Sequence, residues 1–162
     1  MLLKNILTIN KSPINPQRKK NDTFLHYSLP AFDNNKTPET QCGKEILSSK
    51  FIITQPCILF NKLNVRFKRV WNIKTANKPN MICSSEFLPL VVVNNNYLHD
   101  YCYYFLISDI VTAKLIPDTN GTSSSHQRID PTTLLNINIP EYSLLEQQHI
   151  VNSISYEVKY AC

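Results

Sequence analysis

Two stretches of the chain carry side chains suited to recognition of a polyanion. The first is Ser48-Ser49-Lys50 followed by Lys62-Leu63-Asn64-Val65-Arg66-Phe67-Lys68-Arg69-Val70-Trp71. In a strand, alternate side chains share a face, so Asn64, Arg66 and Lys68 are expected to point one way and Val65, Phe67 and Arg69 the other. Lysine and arginine suit phosphate, arginine forks onto guanine, and asparagine can pair bidentately with adenine. A polar exterior over an apolar interior would give the same alternation. The second stretch is Gly121-Thr122-Ser123-Ser124-Ser125-His126-Gln127-Arg128-Ile129. Short hydroxyl side chains around a glycine let backbone approach phosphate oxygens, and His, Gln and Arg supply directional donors.

Catalytic chemistry finds no comparable support. With only Gly43 and Gly121, the chain has no glycine-rich loop for a phosphate or for AdoMet. Methylation of a base amine also needs an Asn/Asp-Pro-Pro-aromatic strip, which Asp130-Pro131-Thr132 and Ile139-Pro140-Glu141-Tyr142 fail to supply. Pro117-Asp118 with Glu157-Val158-Lys159 has a nuclease-like spacing, but its second half falls in an expected helix. His26, His99, His126 and His149 do not pair with cysteines at metal-ligand spacing. There is no GxSxG elbow, and Cys83 beside Ser84 reads as a small buried residue. The expectation is a protein without catalytic residues, metal or cofactor.

The side chains must be held by a body of 162 residues, 43% of them apolar, with a net charge of +5. That length fits one domain, large enough to close a core without staples. The charge is segregated. Residues 1–80 carry 14 Lys and Arg against 4 Asp and Glu, whereas residues 81–162 carry 3 against 8. A basic half with aromatics among its cations suits a phosphate-binding face, although an ordinary basic surface would count the same. Cysteines 42, 57, 83, 102 and 162 form an odd set without a CxxC pair. A reducing, cytoplasmic setting is expected. The apolar runs are too short to span a bilayer, so no membrane partner is expected.

Several elements can be read from periodicity. Residues 1–10 alternate as a first strand, and 11–23 form an exposed loop. Residues 24–29 look extended, and 30–43 are turn-rich. Residues 51–60 read as a strand pair or a bent strand broken at Pro56. Residues 65–73 read as a strand with one slip, and 88–93 as another. From 97 to 116 apolar residues recur at three- and four-residue steps, interrupted only by Asp109, which predicts one largely buried helix. Residues 134–139 alternate as a strand. Ser143 with Glu146 is a capping-box start for a last helix bearing Ile150, Val151, Ile154 and Val158 on one face. The class is α+β.

Taken in order, the segments 27–33, 45–50, 62–66 with Arg69-Val70-Trp71, 82–87, 103–108, 121–129 and Ile139-Pro140 with Leu145-Glu146-Gln147 carry a family resemblance. The chain resembles the DNA-specificity subunit of type I restriction–modification systems, over residues 4–154. The resemblance implies an α+β target recognition domain with a mixed or antiparallel sheet and packed helices, over residues 1–140. Residues 141–162 would begin a truncated spacer or dimerisation helix, with Leu145, Ile150, Val151, Ile154 and Val158 as its partner face. It further implies major-groove reading of one half of a bipartite double-stranded DNA site, with no catalysis of its own. The implied DNA contacts are Lys50, Lys62, Asn64, Arg66 and Arg69, with Ser123, Ser125, His126, Gln127 and Arg128. The implied partners are type I methyltransferase subunits and a second copy or another half-subunit. A full family member has two recognition domains and two spacer helices. The alternative is therefore a truncated remnant acting only as a protein-interaction fragment on the methyltransferase subunits.

Overall fold

The structure is a computed structural model that describes residues 1–118 and 127–161. Strands β1 (Leu7–Ile9), β6 (Cys57–Asn61), β7 (Val70–Ile73) and β9 (Phe87–Val92) form an antiparallel sheet in the order β1-β9-β6-β7. Strands β2 (Pro13–Ile14), β3 (Thr23–Tyr27), β4 (Glu39–Cys42), β5 (Lys50–Ile52) and β8 (Met81–Ser84) form a second sheet in the order β2-β5-β8-β3-β4. That sheet is mixed, because β3 runs parallel to β8 while its other pairs are antiparallel. The helices are α1 (Leu29–Asn35), α2 (His99–Leu106), α3 (Asp109–Leu115), α4 (Pro131–Leu135) and α5 (Leu144–Tyr160). The α+β class holds. No described helix is long and apolar enough to cross a membrane.

Layering follows from which faces are apolar. Every residue of β6 is buried, as expected of a strand covered on both sides. Ile58 and Phe60 join the core beneath the helices, with Tyr101, Leu106, Leu115 and Val151. Cys57 and Leu59 face the other way, into a core between the sheets with Trp71, Met81, Cys83 and Phe87. There Trp71 meets the rings of Tyr27 and Phe32 edge-on, at 5.1 and 5.2 Å. Phe24, Ile46 and Ile82 form a third, smaller cluster on the outer face of the five-stranded sheet. Two 3-10 turns, Pro16–Lys19 and Gly43–Glu45, pack together over that side. A Cβ on Gly43 would lie 2.2 Å from the Lys19 carbonyl oxygen, so only glycine fits.

Some expected elements differ, each for a local reason. Residues 51–60 do give two strands, but they belong to different sheets. Residues 1–6 are mostly a 3-10 turn, Leu3–Asn5, ahead of β1. The stretch 30–43 hides α1 and β4; Ser28 caps α1, its Oγ accepting from the Ala31 N–H at 3.1 Å. The single helix over 97–116 is two helices. Ser108 is extended (ψ 155°), and Asp109 starts α3, so the lone polar residue in the apolar stripe marks a new N-terminus. The strand over 134–139 gives way to α4. There Asp130 Oδ1 accepts from the Thr132 N–H at 2.8 Å and Pro131 takes the first position. Only Asn138 makes a β-bridge, to Leu2. The last helix starts as expected. Ser143 Oγ accepts from the Glu146 N–H (3.3 Å), and Glu146 Oε2 accepts from the Ser143 N–H (2.8 Å).

Candidate nucleic-acid interface

The strand over residues 65–73 is also corrected: β7 begins only at Val70, and 62–69 leave the sheet as a loop. Asn61, buried at the end of β6, causes this. Its Oδ1 accepts from the Leu63 N–H at 2.9 Å and its Nδ2 donates to the Leu63 carbonyl, turning the backbone away from the ladder. Asn64 then adopts a left-handed φ of 52°, which asparagine tolerates better than most residues. The alternating-face expectation for Asn64, Arg66 and Lys68 therefore fails. Val65 is buried as an anchor, whereas Arg66, Phe67 and Lys68 are exposed.

This loop is stitched to the segment that sequence reading had placed separately. The Asn64 N–H donates to the Gln127 carbonyl at 2.8 Å, and the Ile129 N–H donates to the Lys62 carbonyl at 3.1 Å. Leu63 and Arg128 form a β-bridge. Lys62, Asn64, Gln127 and Arg128 therefore lie together. Ser123, Ser125 and His126 fall outside the described residues. Lys50 is brought to the same end by another route. It opens β5 opposite Ser84, the last residue of β8, and Ser85-Glu86 then crosses to β9 in the other sheet. The Lys62 N–H donates to the Glu86 carbonyl at 2.9 Å, closing the end.

Charge at this end is partly compensated. Arg128 forks onto Glu86, Nε to Oε2 at 3.1 Å and Nη2 to Oε1 at 2.8 Å, and this contact holds the Glu86 carboxyl below its ordinary range. Arg69 Nε donates to Asp33 Oδ1 at 2.7 Å, and its guanidinium lies 5.1 Å from the centre of the exposed Phe67 ring. Lys68 pairs with Asp109. Arg66 has no carboxylate partner among the described residues, and Lys62 and Lys50 are half-buried, burial pulling both their pKa values down. Lys50 Nζ donates to Ser48 Oγ at 2.9 Å. The carboxylates of both pairs face solvent, so phosphate can compete with Asp33 or Asp109 for these cations. The arrangement can present cations and amides to a polyanion. Among the described residues it offers no nucleophile paired with a base and no group able to hold a metal.

The opposite end is built around a residue that sequence reading missed. Gln147, fully buried on α5, accepts from the Leu98 N–H and donates to the carbonyls of Asn96 and Tyr142, each at 2.8 Å. The sequence showed it only as part of the Leu145-Glu146-Gln147 segment and as a polar residue on the apolar stripe of the last helix, with no role of its own. Beside it, Val151 is buried in the chain's own core and Ile150 packs against it, while Leu145 and Val158 are 68% and 64% exposed and Ile154 is half-buried.

No family model matches this sequence, and no curated protein matches it. Solved structures do. The chain superposes with a TM-score of 0.80 on the HsdS subunit from Thermoanaerobacter tengcongensis, at 17% identity over 99% of this chain and 42% of that one. A chain from a structure of complex assembly and conformational transition in the type I R-M system gives 0.77, at 18% identity over 98% of this chain and 41% of that one. The type I restriction-modification S subunit from M. genitalium gives 0.63, at 14% identity over 98% and 38%. The chain thus has the fold of part of these specificity subunits, and spans about two-fifths of the length of the structures it matches.

Proposed function

We propose that the chain is a non-catalytic, sequence-specific double-stranded DNA recognition module, a half specificity subunit that directs a type I restriction–modification methyltransferase and endonuclease complex to its site. The observation that carries this reading is the stitching of 62–69 to 127–129 at one end of both sheets, with Lys62, Asn64, Arg66 and Arg128 on it. The likeness of fold to HsdS subunits supports it. Arg66 and the amide of Asn64 are the base readers. Lys50, Lys62, Arg69 and Arg128 bind phosphate, Arg69 and Arg128 exchanging a carboxylate for it. Ser123, Ser125, His126 and Gln127 extend the same contact.

Residues 1–140 form the recognition unit, and 141–162 begin a spacer helix whose 17 helical residues span about 25 Å. Ile154 and Val158, which continue the stripe begun by Val151, face a helix of a second copy or of another half-subunit, with Ile150 and Val151 anchoring that helix to its own domain. Leu145, expected on the same face, lies half a turn round from Ile154 and stands outside it. The partners are methyltransferase subunits, and the setting is the cytoplasm. The test is enrichment from a randomised duplex library at fixed physiological salt, with and without the methyltransferase subunits, because phosphate contacts make affinity fall steeply with ionic strength. A short enriched motif, doubled into a palindrome when the partner is present, is the expected result. Salt-sensitive binding without any motif overturns the reading.

A further inference from the structure

Phe67, in the loop over 62–69, is 58% exposed, and the function proposed above gives it no role. Apolar residues scattered singly over a surface are ordinary. This one differs in being held in place. The Phe67 N–H donates to the Asn64 carbonyl at 3.1 Å, and the Arg69 N–H donates to the Phe67 carbonyl at 2.8 Å, so both its backbone groups are bonded. Buried Val65 pins the same turn to the core. The Arg69 guanidinium lies over the ring, 5.1 Å from its centre, and is itself held by Asp33 at 2.7 Å. A side chain already ordered loses little freedom on meeting a ligand, so its contact is gained at small entropic cost.

Its surroundings say which ligand. Exposed Arg66 and Lys68 flank the ring in the chain, and cations on both sides draw in a polyanion. Two features of a duplex could receive a phenyl ring. One is the stacked faces of the bases, reached when an apolar side chain wedges between them. A fully inserted ring has a base against each face, and here one face is already covered by Arg69. The other is the major groove, where the 5-methyl group of thymine is the apolar group that base edges present. A methyl group can meet the free face or the rim of the ring with the bases still stacked.

We propose that Phe67 is a specificity residue that reads thymine, its ring packing against the 5-methyl group in the major groove beside the base pair met by Arg66. This inference rests on the DNA reading above and deepens it, adding an apolar contact to the polar ones.

The test uses the full chain and the motif enriched by the unmodified protein. Each thymine of either strand is replaced in turn by uracil, which lacks only the methyl group. In the unmodified protein one such replacement should weaken binding about fourfold, the worth of one buried methyl group. Phe67→Ala, checked for an unchanged urea midpoint, should no longer distinguish thymine from uracil at that position, and its response to the remaining positions should be unaltered. A motif without thymine, indifference to every uracil, or a uracil cost that persists in Phe67→Ala overturns the inference while leaving the DNA reading standing. So does an equal loss in Phe67→Ala on thymine and uracil duplexes, with 2-aminopurine beside the site brightening when the unmodified protein binds, since that marks a wedge between unstacked bases. Failure of the unmodified protein to enrich any motif overturns the DNA reading, and this inference with it.

Discussion

The two ends of the molecule close the same strands by opposite means. At the basic end, the loop closures are made by backbone groups: Asn64 to Gln127, Ile129 to Lys62, Lys62 to Glu86. Apart from Asn61, whose buried side chain turns the loop at Leu63, side chains there are left to solvent or to exchangeable ion pairs. At the helical end a single side chain, Gln147, satisfies three backbone groups from two loops. Where backbone does the closing, side chains can vary without loss of fold. Where a side chain does it, the residue is structural.

The contrast can be broken by substitution. Gln147→Ala leaves one N–H and two carbonyls unpaired in the interior, each worth about 1–3 kcal/mol. Urea unfolding should report a loss of about 3 kcal/mol or more, with DNA affinity per folded molecule unchanged. A fall in affinity would mean that the ends are coupled. Arg66→Ala should do the reverse: about 1–3 kcal/mol lost on the enriched site and less than about 0.5 kcal/mol of stability. Comparable losses on every duplex, with a shallower salt slope, would reassign Arg66 to phosphate.

Two weaker effects sharpen the comparison. Glu86→Gln removes the carboxylate that holds Arg128 and faces Lys62. Affinity for duplex of any sequence should rise a few-fold and depend more steeply on salt; unchanged salt dependence would place Arg128 away from DNA. Last comes pH. Burial lowers the pKa of both His26 and His99, so below their ordinary value, near 6.5, the unfolded chain takes up protons that the folded chain refuses. Their contribution is complete above about pH 6.5 and is lost as pH falls through the lower folded values. Glu86 and Asp100 are shifted down from carboxylate values and so add losses only in more acid solution. The urea midpoint should fall between pH 7 and 5, less so in His26→Gln; a flat midpoint would contradict the burial of both rings.

Much of this was legible in the sequence, and the failures have a common physical source. The last helix could be placed because Ser143 and Glu146 are a local device whose partners are three residues apart. The break at Asp109 and the burial of Gln147 were visible only as polar residues on apolar stripes, and a stripe alone does not say whether such a residue caps a helix or binds a distant loop. Residues 65–69 read as the start of a strand over 65–73 because Val65, Phe67, Val70, Trp71 and Ile73 nearly alternate. What bends the chain is the Asn61 side chain, which returns to the backbone of Leu63. Both basic stretches were recognisable by composition. Their contact depends on pairing across more than sixty residues, which no local pattern encodes.

The stitch between Asn64 and Gln127 has an evolutionary consequence. It fixes one foot of the 65–69 loop, the other being held by the Asn61 N–H on the Arg69 carbonyl, while the core contributes only Val65. Residues between those feet can be exchanged or lengthened with little penalty to folding, since loop closure grows only logarithmically with length. A lineage carrying this scaffold can therefore change the side chains that this end presents by swapping a few loop residues, keeping every strand in register.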